Sequence, residues 1–341
     1  MCMINIETTR RYEKRFFYDI VYEWEDDIKN MLHADFYYRS GVSDFINHAV
    51  RKMGGSPFCF SFKKEDVTVR FDMFAHTAGD FRNHNGVVPW IIDFYFEEKD
   101  FGKFYKAYRG YPIVLVSSLE VVEKLRKADC PLPIMHLPLS LSDRYMFDEK
   151  TIGEKEFDVV LAGRVNPSLR TFLEKYKSFH PETTVLDRRL VDGRFEYFDE
   201  KGRVLNLKND TRMAYMDILK KGRVSLYATP GRDGKKGANG YNQVTPRFLE
   251  MLSAGCKPVM QYAGNPDTDF YELASWGESI ESYEQFEKAM DGALKTPPDM
   301  QKYKDYLSKH YTSVRTCQLN EILKQIKSVS YTHLTLPTIR L

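Results

Sequence analysis

Short apolar runs alternate with amphipathic stretches in two blocks, and this pattern constrains the chain more than any other feature. In the first block, β-type runs fall at residues 67–74, 87–94, 113–116 and 134–139, with helical stretches at 101–108 and 118–128 between them. Ser118 stands where it can cap the second helix. An amphipathic helix is predicted earlier, over 11–32, where Phe17, Val21, Trp24, Ile28 and Met31 build one apolar stripe. Residues 138–155 are rich in Ser, Asp, Glu and Lys without a sustained period and suit a linker. The pattern then restarts with DVVLA at 158–162, a helix over 168–176 and a strand over 224–228. A short helix over 246–254, a strand over 257–261 and a helix over 282–294 follow. Strands alternating with helices indicate parallel sheets covered by crossover helices. At roughly 150 residues per domain, a chain of 341 residues accommodates two such units.

Composition excludes several classes. The 50 basic and 48 acidic side chains leave a net charge of +2, which argues against a nucleic-acid partner. Five cysteines, far apart and without a CxxC pair, provide neither a disulfide framework nor a zinc site. They are expected to be reduced thiols of a cytoplasmic protein. No run approaches the roughly 18 apolar residues of a membrane span, so membrane association is at most peripheral, at the inner face of the cell membrane. Aromatic residues make up 14% of the chain, which fits carbohydrate handling. The ending VSYTHLTLPT resembles a translated sequencing adapter, so residues 328–341 are read as a non-native tail.

The stretch NQVTPRFLEMLSAGCKPVM, residues 242–260, carries the most chemical information. Thr245 can cap a helix whose first residue is Pro246, and Gly255 stands where a left-handed residue would end it. Phe248, Leu249, Met251 and Leu252 share one face, and Arg247 and Glu250 lie on the other. The helix amino terminus offers free N–H groups and a positive dipole end, a seat for a diphosphate. Arg247 can add a bidentate phosphate contact, and Glu250 can accept hydrogen bonds from ribose hydroxyls. The preceding loop GRDGKKGANGYN can fold over phosphates and carries Arg232, Lys235 and Lys236. The plain alternative is a capped helix with a solvated polar face. Asp267-Thr268-Asp269 has the form of a metal-binding DxD, but it follows the turn signal Gly264-Asn265-Pro266 and reads as a turn capping a short helix. His76 and Asp93 end two strand-like runs, VRFDMFAH and VVPWIIDF. Ligands of open α/β sheets sit beyond the carboxyl ends of strands, so either residue can act as base on an acceptor hydroxyl or orient it. A buried histidine and a turn-capping aspartate are the structural alternatives. Trp90, Tyr95, Tyr105 and Tyr108 can stack on sugars or fill the core.

Glu250 followed by Gly255-Cys256-Lys257-Pro258 and Val259-Met260 resembles the donor-binding motif of GT-B glycosyltransferases, especially the "glycosyltransferase family 1" proteins of bacterial surface-polysaccharide loci. DVVLAGR, ending at Gly163-Arg164, resembles the first strand and phosphate-side turn of the same domain, and NPDTDFYEL and SYEQFEKAM resemble its closing part. The resemblance covers residues 158–327. It implies an α/β fold of two Rossmann-like domains facing a central cleft. Residues 1–145 are then the acceptor-side domain, 146–310 the nucleotide-sugar domain, and 311–327 a helix crossing back to the first. It also implies a cytoplasmic, metal-independent transferase that moves a sugar from a nucleotide-sugar co-substrate to a glycan or lipid-linked glycan acceptor of capsule, O-antigen or exopolysaccharide. Gly163, Arg164, Asn242, Thr245, Arg247 and Glu250 are the expected donor-binding residues. Retaining members often carry Glu-x7-Glu, whereas Asn242 stands eight residues before Glu250. The first half is also read as lacking the usual opening strand with its glycine-rich turn. A non-catalytic nucleotide-sugar-binding protein and a GT-B-fold nucleotide-sugar epimerase are the alternatives.

Overall fold

A computed structural model describes residues 3–38, 66–77, 86–191, 194–202, 204–205, 212–232 and 237–334. The chain divides into two compact units, Met1–Ser142 with Thr312–Leu341, and Asp143–Tyr311.

The first unit runs β1 (Ile4–Thr8), α1 (Asp19–Leu32), β2 (Asp35–Tyr38), β3 (Val67–Phe74), β4 (Val87–Asp93), α2 (Phe101–Ala107), β5 (Val114–Val116), α3 (Leu119–Lys127) and β6 (Ile134–His136). Its strands lie in the order β2-β1-β3-β4-β5-β6, with every pairing parallel. The second unit runs α4 (Glu149–Ile152), β7 (Phe157–Leu161), α5 (Pro167–Phe179), β8 (Val185–Val191), β9 (Arg194–Phe198), β10 (Val204–Leu205), α6 (Arg212–Lys220), β11 (Gly222–Ala228), α7 (Pro246–Ser253), β12 (Lys257–Gln261), α8 (Pro266–Phe270), α9 (Tyr283–Lys295) and α10 (Met300–Leu307). Its order is β10-β9-β8-β7-β11-β12, parallel from β8 to β12, with β9 and β10 added antiparallel at one edge. The last helix, α11 (Thr312–Leu334), belongs to the first unit.

Local sequence explains these elements. The Ser118 hydroxyl accepts from the Val121 N–H at 3.2 Å and starts α3. Ser282 and Gln285 form a reciprocal capping box at α9. Gly255 has φ +69° directly after α7, the left-handed conformation that favours glycine. On one face of the first sheet, Trp24, Phe71 and Trp90 stack, with the Phe71 and Trp90 ring centres 5.1 Å apart. Both indole N–H groups are satisfied, Trp24 by the Ser140 carbonyl and Trp90 by that of Leu137. Leu319, Ile322 and Leu323 of α11 join this core. Trp90 is therefore a core residue rather than an open sugar platform, and Tyr108 is buried as well.

Several expectations are corrected. The first helix starts at Asp19 instead of residue 11, because Tyr12 and Glu13 fold back onto the Thr9 carbonyl and Arg15 is extended. Phe17 and Met31, expected in its apolar stripe, are exposed. An opening strand is present: β1 sits between β2 and β3, although its following turn, Thr9-Arg10, contains no glycine. The interval 138–155 is built into the structure, with Leu139 and Leu141 buried and α4 capped by Asp148. The helical conformation of α11 continues to Leu334, beyond Lys327, and residues 335–341 lie outside the described residues. No helix among the described residues is long and apolar enough to cross a membrane.

Candidate functional site

In the second sheet the chain leaves β7 towards β8 on one side, and β11 and β12 follow on the other. Such a switch point opens a crevice at the carboxyl ends of the strands, where ligands of α/β sheets bind. The residues beyond β7 (Ala162–Asn166), beyond β11 (from Thr229) and at the start of α7 meet at this edge.

Arg247 is the centre of it. Its guanidinium donates to the Arg164 carbonyl at 2.5 Å and to the Leu226 carbonyl at 3.4 Å, and it stands 5.5 Å from the Tyr227 ring centre. Gly163 makes this placement possible. A Cβ there would lie 2.7 Å from Arg247 Cδ and 2.9 Å from Nη1. Thr245 occupies the cap position of α7, yet its side chain makes no capping bond, and its own N–H donates to the Tyr227 hydroxyl at 3.0 Å. The structure thus brings Gly163, Arg164, Thr245 and Arg247 together at the amino terminus of an eight-residue helix. Arg164 is exposed beside it.

Asn242 lies in the loop above and is nearly buried. Its Oδ1 accepts from Thr229 at 2.7 Å, its amide donates to the Gly240 carbonyl at 2.8 Å, and its carbonyl accepts from Asn265 at 3.2 Å. Its position at this edge is fixed by the loop it closes. Lys235 and Lys236 of the glycine-rich loop lie outside the described residues, and Arg232 pairs with Glu281 at 2.7 Å. Glu250 departs from the expected solvated face. It is 2% exposed, bound by the Arg212 guanidinium and the Tyr215 hydroxyl. Burial and this carboxylate push the Tyr215 hydroxyl well above its ordinary value. Asp267 and Asp269 lie in α8, whose cap is Asn265 in a capping box with Thr268. Among the described residues no group of three or more acidic, His or Cys side chains is placed to hold a metal ion. A cavity of about 710 Å³ along β12, lined by Lys257, Trp276, Lys288 and Tyr303, contains none of the switch-point residues.

In the first unit, His76 and Asp93 lie at the carboxyl ends of neighbouring strands, where Phe74 pairs with Asp93 and the Ala75 N–H donates to the Asp93 carbonyl at 2.9 Å. His76 ends a charged network that the sequence reading missed. Its Nε2 stands 3.7 Å from the Asp72 carboxylate, and its ring stacks on Tyr108 at 4.5 Å. Asp72 accepts two bonds from Arg70, at 2.8 and 3.0 Å, and one from the Tyr108 hydroxyl at 2.9 Å. Burial works to raise the Asp72 carboxyl, but Arg70 and His76 outweigh it and hold the group well below the usual carboxylate range. An ionised aspartate behind a half-exposed imidazole is an arrangement that orients a general base. The missed signal was local: Arg70 and Asp72 alternate with Val69, Phe71 and Met73 in a strand buried on both faces.

No protein-family model matches the chain, and no curated protein matches it in sequence. Solved structures do. The chain is similar to a sucrose-phosphate synthase from Thermosynechococcus elongatus, with a TM-score of 0.56 and 8% identity over 96% of this chain and 100% of that one. It is similar to AviGT4, a glycosyltransferase involved in avilamycin A biosynthesis, with a TM-score of 0.55 and 10% identity over 96% and 98%. A third is the N-terminal domain of Candida albicans trehalose-6-phosphate phosphatase, with a TM-score of 0.57 and 8% identity over 95% and 96%. At these identities the likeness is one of fold. The chain has the α/β architecture of the GT-B class, two Rossmann-like units.

Proposed function

We propose that the protein is a glycosyltransferase that binds a nucleotide-sugar donor at the switch point of its second unit and transfers the sugar to a glycan acceptor. The observation that carries this reading is Arg247, laid over Gly163 at the amino terminus of α7 with no side-chain cap on that terminus. An uncapped helix start and a guanidinium together suit a diphosphate. The same charges stabilise the leaving nucleoside diphosphate, the work a metal does elsewhere. Activity that survives EDTA is the expected result. Complete loss with chelator, restored by Mn²⁺, would refute metal independence. Arg164 and Thr245 line the same edge, and Asn242 holds the loop above it.

In the first unit His76 is the base on the acceptor hydroxyl, with Asp72 orienting it, and Asp93 stands at the neighbouring strand end. The sequence resemblance supports a cytoplasmic role in bacterial capsule, O-antigen or exopolysaccharide synthesis, with a glycan or lipid-linked glycan as acceptor. A donor hydrolysis and transfer assay across a panel of nucleotide sugars tests the whole reading. Transfer, or slow hydrolysis releasing nucleoside diphosphate, supports it. Binding without turnover makes the protein a nucleotide-sugar-binding module, and an altered sugar released without acceptor makes it an epimerase.

A further inference from the structure

The loop after β1 and the end of β3 form an aromatic and basic surface on the first unit. Arg11, Tyr12, Lys14, Arg15 and Phe17 are all exposed. Three large rings stand out of the core: Phe17 is 41% exposed, Phe74 48% and Tyr12 49%. Phe17 and Phe74 come from different elements, yet their rings meet edge to face with centres 6.1 Å apart. The guanidinium of Arg15 lies 4.9 Å over the Phe17 ring, and Arg11 lies 3.9 Å over Tyr38. The acidic groups of this run are Glu13, bound by Arg15, and Asp19 at the start of α1. Exposed apolar rings carry a cost in water that a folded chain usually avoids by burial, and a rim of cations around them marks an interaction surface.

We propose that this surface docks on an anionic phospholipid bilayer. A bilayer satisfies both halves of the patch at once. Aromatic rings settle at the headgroup level, and Arg and Lys pair with anionic headgroups. A nucleic-acid duplex would use the cations but would leave the Phe17–Phe74 pair in water. The inference holds whatever the second unit binds.

Cosedimentation of the full chain with phosphatidylcholine vesicles, with and without 30% phosphatidylglycerol, tests it. The expected result is binding to the anionic vesicles that weakens with salt. F17S/F74S should bind at least tenfold more weakly, and R11Q/K14Q about thirtyfold more weakly, from two headgroup attractions lost. Melting curves identical to the parent establish that both variants are folded. Failure of the parent to bind anionic vesicles overturns the proposal, as does undiminished binding by F17S/F74S. Binding of soluble dextran sulfate equally by parent and F17S/F74S, with vesicles left alone, assigns the patch to a polyanion and also overturns it.

Discussion

Replacing Gly163 by alanine tests the proposed donor site without removing any of its functional groups. A Cβ at that position would stand 2.7 Å from Arg247 Cδ, 2.9 Å from Nη1 and 3.1 Å from Nε. All three atoms belong to a flexible side chain, so the strain is relieved by swinging Arg247 away rather than by moving backbone. The fold should survive, losing at most the Arg247 bonds to the Arg164 and Leu226 carbonyls, about 1 kcal/mol. Nucleotide binding should suffer more. A guanidinium that no longer faces the diphosphate forfeits a charge-assisted hydrogen bond worth about 1.5–3 kcal/mol, or roughly 10- to 150-fold in Kd. Calorimetric titration with a panel of nucleoside diphosphates, on G163A, R247A and the double variant, measures this. Both single variants act through one guanidinium, so the double variant should bind no worse than R247A alone. Full additivity would refute the reasoning, because it would mean that Gly163 and Arg247 contribute separately. G163A that melts far below the parent would show that the glycine serves packing instead.

Three further expectations concern stability. Arg212→Ala leaves the buried Glu250 carboxylate without its cation, at a cost of about 3–5 kcal/mol, which lowers the melting temperature by roughly 10 °C; adding Glu250→Gln should recover part of the loss, and an unchanged Tm for R212A would refute it. Two groups of the first unit give opposing pH dependence. Burial, resisted by Thr8 and Arg10, lifts the Glu25 carboxyl from 4.5 to about 7, so its contribution is present below pH 4.5 and lost as pH rises through 7. Burial lowers His136 from 6.5 to about 4, so its contribution is present above pH 6.5 and lost as pH falls through 4. Each amounts to about 3 kcal/mol at most. The parent should therefore be nearly flat in stability between these limits, while Glu25→Gln melts higher with rising pH and His136→Asn melts lower, as followed by thermal denaturation across buffers. Finally, ending the chain before Leu319 strips Leu319, Ile322 and Leu323 from the core, which exceeds the stability of a typical domain at about 2–5 kcal/mol per side chain. Ending it after Lys327 should leave Tm unchanged, and a clear drop would make the tail part of the fold.

What the sequence made legible follows from how far apart the deciding residues lie. The strand at 67–74, the strand at 257–261 and the helix after Ser118 match to within a residue, because apolar period and cap are all local. β1 escaped because five residues, INIET, offer two apolar positions and no turn glycine; its place between β2 and β3 is set by partners far along the chain. β8 and β9, with VLDRRLV and RFEYF, alternate charge with bulk as an antiparallel edge does, and carry no buried-strand run to announce them. The same division runs through the site. Gly163, Thr245 and Arg247 stood out because a strand-end glycine and a Thr-Pro-Arg helix start are local signals. Glu250 was placed on the correct turn but in the wrong surroundings. A helical wheel separates polar from apolar positions, but only tertiary structure shows that Arg212, 38 residues away, covers the polar one. Asp72 likewise needed Tyr108, 36 residues on, before its environment could be known. Burial does not remove Glu250 from donor binding. An ionised carboxylate has about four lone-pair positions, and Arg212 and Tyr215 are the partners that hold it here. Acceptor capacity therefore remains for a ribose hydroxyl, on a carboxylate held in place before the nucleotide arrives.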